Sequence, residues 1–429
     1  MTMDIWLCGA RLETGDRDTQ GRDVDVGIKQ GKIAALGTMP AGSPHLDCTG
    51  LTLAPAFTDL SARLREPGDR EHGSMMTETA AALAGGFVQL VVPPDTRPVM
   101  DAPAIVALVL ERAAVASKVR VFPLGALTRG LDGKSLANMA ALKAAGCIAV
   151  SQARRPMASA ETLLRCLEYA AGQGLKVFFS PEDASLAQGC VHEGFMASRL
   201  GLPGIPSSAE TVAMATQLLL VAQTGIHAHF GQLSTAGSVM LLRWARSQGL
   251  PVTADVSMHQ LHLTDESIDG FNAMAHVRPP LRSETDRQAL LEGIREGTID
   301  AICSDHQPLD ASAKLAPFAS TIPGISTLET MLGLGLRLVR SGELSRTRLV
   351  DALARAPRRV LGQAMPSLQV GDVADLVAFD ENLGWQVMPE QLRSHGHNTP
   401  FLGQTLQGKV TQVWVEGQPQ IRGGPGLAV

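Results

Sequence analysis

The chain is poor in aromatic and charged side chains. Of its 429 residues only 4% are aromatic, with a single tyrosine, and 18% are charged. No long basic run accompanies the formal net charge of −5, which argues against a nucleic-acid partner. No uninterrupted apolar stretch reaches the ~18 residues of a membrane helix, so no membrane span is expected. Met1–Thr14 carries an early acid and lacks the apolar region of a secretory signal. The six cysteines, at positions 8, 48, 147, 166, 190 and 303, show no CxxC spacing. That pattern excludes a disulfide framework and a cysteine zinc site, and it suits a reducing, cytoplasmic setting.

What the chain does have is 45% hydrophobic residues and 43 glycines, the profile of an α/β protein with buried strands. The ends read as β structure. Asp4–Leu12, Val24–Lys29 and Lys32–Leu36 alternate, with a turn at Gln30-Gly31, and Ala374–Phe379 and Val410–Val415 look similar. Residues 1–55 and 366–429 are therefore expected to pair into one small composite β domain. Between them, residues 56–365 alternate short apolar runs with helical patterns. The runs are Phe57–Leu64, Phe87–Pro93, Val119–Leu127, Ile148–Gln152, Val177–Ser180, Ile226–Gln232, Val252–Val256 and Ala301–Asp305. Glu78–Ala84, Ala104–Ala116, Ala160–Ala171, Ala209–Gln223, Ala236–Ser247 and Thr285–Glu296 carry helical spacing, often closed by glycine. Eight parallel strands with crossovers predict a (β/α)8 TIM barrel, whose chemistry sits at the C-terminal strand ends.

The residues there are informative. The runs Leu64-Arg65-Glu66-Pro67-Gly68, Leu233-Ser234-Thr235-Ala236-Gly237-Ser238, Thr253-Ala254-Asp255-Val256, Pro279-Pro280-Leu281-Arg282, Gly297-Thr298-Ile299-Asp300-Ala301-Ile302 and Asn398-Thr399-Pro400-Phe401 follow one another along nearly the whole chain. In this order they resemble the dihydroorotases of the cyclic amidohydrolase superfamily. The resemblance implies a barrel of the metal-dependent hydrolase type plus a small β-sandwich domain built from both termini. It also implies a metal constellation: His-x-His ending strand 1, a carboxylated Lys or an Asp ending strand 4, single His residues ending strands 5 and 6, and an Asp ending strand 8.

This sequence departs from that constellation at nearly every position. The His-x-His positions are Ser61 and Arg63, the strand 4 position falls on Gln152 or Ala153, the strand 5 position is Ser180 and the strand 6 position is Gln232. Asp305 alone survives. Among positions that contact substrate in such relatives, Arg65 is kept, whereas Asp95 and Arg278 stand for asparagines and Leu309 for a histidine. None of the eleven histidines falls on a ligand position. Zinc lowers the pKa of its bound water from 15.7 to about 7; without it the hydroxide fraction at neutral pH falls by roughly eight orders of magnitude. One carboxylate does not hold zinc well, and a permanent cation at Arg63 opposes a dication.

Several residues admit two readings. Asp305 is a vestigial catalytic base or, the favoured reading, a loop-anchoring carboxylate that accepts backbone N–H bonds. Arg65 is a vestigial anion-binding residue or the ion-pair partner of Asp95 or Glu182. Arg63, Arg154 and Arg155 form a basic mouth or, as favoured, fill the emptied site with internal ion pairs. A rebuilt zinc site of His229, His259 and Asp305 is set against structural histidines; alternation puts His227 and His229 on one face, away from Gln232. Cys303 reads as a buried small residue, His306 as a support for strand 8, and Leu328–Arg340 as core helix.

These readings converge on a catalytically inactive dihydroorotase homologue that binds no cofactor. The resemblance further implies a structural or assembly role in pyrimidine biosynthesis, in the cytoplasm, with the catalytic chain of aspartate carbamoyltransferase as partner, and homo-oligomer formation. Two alternatives stand beside it. One is a residual cyclic amidohydrolase with a degenerate, at most mononuclear, weakly held zinc; the other is a small-molecule sensor with a carboxylate pocket around Arg65.

Overall fold

The computed structural model describes residues 4–14 and 21–420. Positions 1–3, 15–20 and 421–429 of the expected terminal domain lie outside the described residues. Five strands open the chain: β1 (Ile5–Leu12), β2 (Asp23–Lys29), β3 (Lys32–Gly37), β4 (His45–Asp47) and β5 (Thr52–Pro55). Then come β6 (Phe57–Asp59), β7 (Phe87–Val92), β8 (Arg120–Ala126), β9 (Ala149–Ser151) and β10 (Lys176–Phe179). A short pair, β11 (Val191–His192) and β12 (Gly204–Ile205), precedes β13 (Ala228–Phe230), β14 (Val252–Ser257) and β15 (Ala301–Cys303). β16 (Leu376–Gln386), β17 (Thr405–Val415) and β18 (Gln418–Pro419) close the chain.

The terminal strands form one mixed sheet in the order β18-β17-β16-β5-β1-β2-β3, with β4 beside β1. Its join is the antiparallel pairing of Leu376–Phe379 with Thr52–Pro55, which ties the two ends of the chain together. The sheet buries Leu7, Leu12, Leu53, Leu376 and Trp414 in its own apolar cluster.

The middle strands make a parallel sheet in the order β15-β14-β13-β10-β9-β8-β7-β6, the architecture expected of a (β/α)8 barrel. Its seam closes at the C-terminal edge, where the Arg63 amide donates to the His306 carbonyl at 2.9 Å and the His306 amide to the Ser61 carbonyl at 3.3 Å. One step earlier the Asp59 carboxylate accepts the Ser304 amide at 2.7 Å. This seam is why β6 stops at Asp59 rather than running to Leu64: its last residues bend to meet strand 8.

The crossover helices include α1 (Met75–Ala84), α2 (Pro103–Ala116), α3 (Met139–Ala144), α4 (Ala160–Gly172), α5 (Phe195–Leu200), α6 (Ser208–Thr224), α7 (Ala236–Ser247) and α8 (Glu284–Glu296). Local chemistry sets their starts. Ser74, Ser159, Thr235 and Ser283 each accept the backbone amide three residues on. Gly225 and Gly297 end α6 and α8 in the left-handed region, at φ 65° and 79°. Strand ends and helix starts therefore meet at one rim, and that rim is where the candidate site lies.

Candidate functional site

Four non-glycine residues at this rim have left-handed backbones: Arg65 (φ 61°), Ala153 (50°), Gln232 (53°) and Asp305 (45°). Each such conformation costs roughly 1–2 kcal/mol. They fall at or beside the ends of strands 1, 4, 6 and 8, where a metal hydrolase would place its ligands.

The side chains brought together there form a hydrogen-bonded knot around a buried carboxylate. Asp305 is 2% exposed. Its Oδ1 accepts from Arg63 Nη1 at 3.4 Å, Gln307 Nε2 at 3.3 Å and Ser61 Oγ at 3.5 Å. Its Oδ2 lies 3.9 Å from Arg154 Nη2. The same Arg154 nitrogen donates to Gln232 Oε1 at 3.1 Å, which also accepts from Ser180 Oγ at 3.0 Å. Ser61, Arg63, Ser180 and Gln232 thus belong to one network with Asp305, linked through Arg154. Gln152 stands apart, its Oε1 accepting from Thr128 Oγ1 at 3.0 Å. Asp305 is held by side chains, not by the backbone amides anticipated for it.

Arg63 is the centre of charge. It donates from Nε and Nη2 to Asp95 Oδ2 at 3.1 and 2.9 Å as well as to Asp305. Burial works against its positive charge, yet the two carboxylates hold its pKa above the ordinary value. Asp95 responds in kind: burial opposes its charge, but the Arg63 cation keeps its carboxyl below the usual range. Across the mouth, Arg278 donates from Nε and Nη2 to the two oxygens of Glu182, both at 2.7 Å. That bidentate clamp joins the loops after strands 5 and 7. Asp95 and Arg278, which stand where the resemblance leads one to expect asparagines, carry charges paired with neighbours.

Arg65 is therefore not the partner of Asp95 or Glu182. Its Nε donates to the Pro308 carbonyl at 2.9 Å, and among the described residues it forms no ion pair. Burial, then the nearby Arg63 cation, pulls its pKa down to about 10. With Arg63, Arg97, Arg154, Arg155 and Arg278 it lines a cleft of about 730 Å³. Both readings of the basic mouth hold in part: Arg63 and Arg154 pair inward with Asp305, while Arg155 is exposed at the rim.

Four histidines lie on or just beside the barrel strands. His229 places Nδ1 2.9 Å from Thr253 Oγ1 and Nε2 2.9 Å from Asp255 Oδ2, so both ring nitrogens are used. His227 precedes strand β13 and is exposed. His259 Nε2 meets Ser257 Oγ at 3.2 Å while its Nδ1 is buried without a partner. Burial, first of all, pulls the His259 pKa down to about 4 against the pull of the Asp305 charge. His306 bridges Glu78 Oε2 at 2.8 Å and the Thr327 amide at 3.1 Å. Cys303, fully buried, donates to Asp255 Oδ1 at 3.2 Å, and burial pushes its thiol pKa well up. Sequence reasoning missed the Arg278–Glu182 clamp and the Arg154–Gln232 link. The available signal for the clamp was a charge at a former asparagine position opposite an acid ending strand 5.

Comparison with known proteins places this geometry. The family described as "Dihydro-orotase-like" matches residues 50–238. A "Dihydroorotase-like protein" from Pseudomonas aeruginosa is 46% identical over 421 residues, covering 97% of this chain and 99% of the relative. The chain belongs to the dihydroorotase-like family. Other members of comparable coverage include a "Dihydroorotase" of Citrifermentans bemidjiense, 39% identical over 97% of this chain and 99% of its own length. Among solved structures, an L-hydantoinase (dihydropyrimidinase) from Arthrobacter aurescens superposes with a TM-score of 0.87 at 23% identity, covering 99% of this chain and 97% of that one. At that identity the likeness establishes the shared amidohydrolase fold.

The family implies zinc, and the donor set of this dihydroorotase-like chain does not fit it. Zinc sites are built from at least three His, Cys or carboxylate donors. The expected ligand positions offer one carboxylate, four neutral oxygen-bearing side chains and a guanidinium, with a second guanidinium at Arg154 3.9 Å from Asp305. Among the described residues, no group of three or more His, Cys, Asp or Glu is arranged to hold a metal ion.

Proposed function

We propose that this dihydroorotase-like chain is a non-catalytic structural subunit of pyrimidine biosynthesis in the cytoplasm, whose partner is the catalytic chain of aspartate carbamoyltransferase. One observation carries the first half: Asp305, the single retained ligand, is bracketed by Arg63 at 3.4 Å and Arg154 at 3.9 Å. Two cations beside that carboxylate would repel a dication placed there. The ion pairs Arg63–Asp95 and Arg278–Glu182 support the same reading, since they consume the positions that would otherwise meet substrate. The names of relatives agree in part: "Dihydroorotase-like protein" in Pseudomonas aeruginosa and Pseudomonas putida.

The partner and self-association rest on family resemblance alone. The test is co-expression with aspartate carbamoyltransferase, followed by size-exclusion chromatography with light scattering. The expected result is one co-migrating assembly heavier than either component, with transferase activity retained in it. Separate elution with full transferase activity would end the proposal.

A second reading, a cyclic amidohydrolase with one weakly held metal at Asp305, is supported by relatives named "Dihydroorotase" at 38–41% identity. It requires about one divalent ion per purified chain, whereas the structural-subunit reading requires less than ~0.1.

A further inference from the structure

Away from the mouth, the outer wall of the barrel carries an apolar strip where α6 and α7 lie side by side. Four large apolar side chains there are 43–64% exposed: Val212 and Leu219 on α6, Met240 and Trp244 on α7. Both helices cross between parallel strands and so run in the same direction. They touch at Thr211 and Gly237, where a β-carbon on the glycine would meet Thr211 Cγ2 at 2.7 Å. Helix geometry carries the strip on from that point. Seven residues turn a helix through nearly two full turns, so Trp244 points within about 20° of the Gly237 direction, toward α6. On α6, Leu219 and Ala222 point within about 80° of the Thr211 direction, toward α7. Leu219 and Trp244 lie about 12 and about 10.5 Å beyond the contact and therefore share one level.

The strip is uncharged and its borders are not. Glu210 is the only charged residue of α6, and it is buried, accepting the Ser234 and Thr235 amides at 3.0 and 3.2 Å. The flanks carry ion pairs instead: Arg165 with Glu168 at 2.9 Å on α4, and Arg243 with Glu296 at 2.9 Å between α7 and α8. An apolar centre inside a polar rim is the anatomy of a protein–protein interface.

The charge pattern selects the occupant. In a twofold dimer a patch meets itself, so any net charge in it would face its own sign; an uncharged face meets no such repulsion. A partner that docks through charge would find no counter-charge in the strip. The area suffices for a pair of copies. The 17 residues of α6 span about 25 Å and two adjacent helices about 20 Å, so two such faces bury roughly 1,000 Å², the threshold for a specific interface. We propose that two copies of the chain pair through α6 and α7, with Leu219 and Trp244 as the anchors. This inference rests on the self-association part of the proposed function and is independent of the transferase partnership.

The test is sedimentation velocity on the full chain alone, without transferase, at about 20 μM. The wild-type chain sediments at twice the mass of one chain. Leu219→Glu sets a carboxylate into the apolar contact from each copy, raises the dissociation constant at least about 100-fold and gives the monomer. Trp244→Glu acts in the same direction. Both side chains are exposed, so both variants keep the wild-type circular dichroism spectrum. Leu315→Glu, at an 81% exposed position in the segment after β15, leaves the dimer intact. A wild-type chain that stays monomeric removes both the self-association reading and this face. A wild-type dimer that survives Leu219→Glu and Trp244→Glu removes the face alone. A monomeric chain that loses a co-migrating transferase through Leu219→Glu gives the face to that partner and overturns the proposal.

Discussion

At Arg63 a single guanidinium meets two carboxylates, Asp95 at 2.9 Å and Asp305 at 3.4 Å, with its side chain 17% exposed. Removing one partner of a buried pair strands the other charge. Arg63→Met is therefore expected to destabilise the fold by roughly 3 kcal/mol, the low end of the range because Asp95 retains some water contact. Adding Asp305→Asn removes one of the stranded charges and recovers part of the loss. Urea unfolding of the three proteins measures this; a loss under ~0.5 kcal/mol in the single variant would mean the carboxylates are solvated. His259 gives a pH signature. Its pKa is pulled from 6.5 to about 4 by burial. In the unfolded chain it charges first as pH falls, so its contribution to stability is full above about pH 6.5 and is lost as pH drops through 4. An NMR titration of its ring should centre near pH 4; a midpoint near 6.5 would show that the ring is open to water.

The elements around the site are tied by buried acids. Glu78, on α1 and fully buried, accepts from His306 Nε2 at 2.8 Å, Ser394 Oγ at 2.7 Å and the His395 amide at 3.1 Å. Burial opposes its charge, but these donors, His306 foremost, hold its pKa below the ordinary value. One carboxylate thus clamps the first crossover helix, the loop after strand 8 and the segment leading to β17. Glu78→Gln should cost about 3 kcal/mol, because charge-assisted bonds become neutral and one acceptor becomes a donor. It should also speed amide exchange at residues 392–398; unchanged protection there would assign the clamp to other contacts. At this scale the sequence was most readable. The apolar runs and helical spacings matched eight barrel strands and six long helices, and the β-rich ends do join, at β5 and β16. Among the elements that escaped were α3, the β11–β12 pair and α5, of two to six residues, too short to display a period. The resemblance supplied the candidate ligand positions, and the structure brings Ser61, Arg63, Ser180 and Gln232 into one network with Asp305. The ion pairs were not legible: Arg63–Asp95 and Arg278–Glu182 join residues 32 and 96 apart through loops whose paths no local pattern encodes.

Taken whole, the molecule has the amidohydrolase fold, a (β/α)8 barrel beside a mixed sheet built from both ends of the chain. Four left-handed residues stand at the barrel rim. At that rim Ser61, Arg63, Ser180, Gln232 and Arg154 form a network around Asp305. No helix is long and apolar enough to cross a membrane among the described residues. On the non-catalytic reading these internal ion pairs cost no function, since an open site needs unsatisfied donors and room for substrate. The most direct test of the non-catalytic reading is the rate of dihydroorotate turnover by the purified full chain supplied with zinc at neutral pH. A barrel whose ligand positions are filled by guanidinium and amide groups gives no rate above the buffer blank. Turnover at an enzymatic rate that disappears in Asp305→Asn would contradict that reading outright.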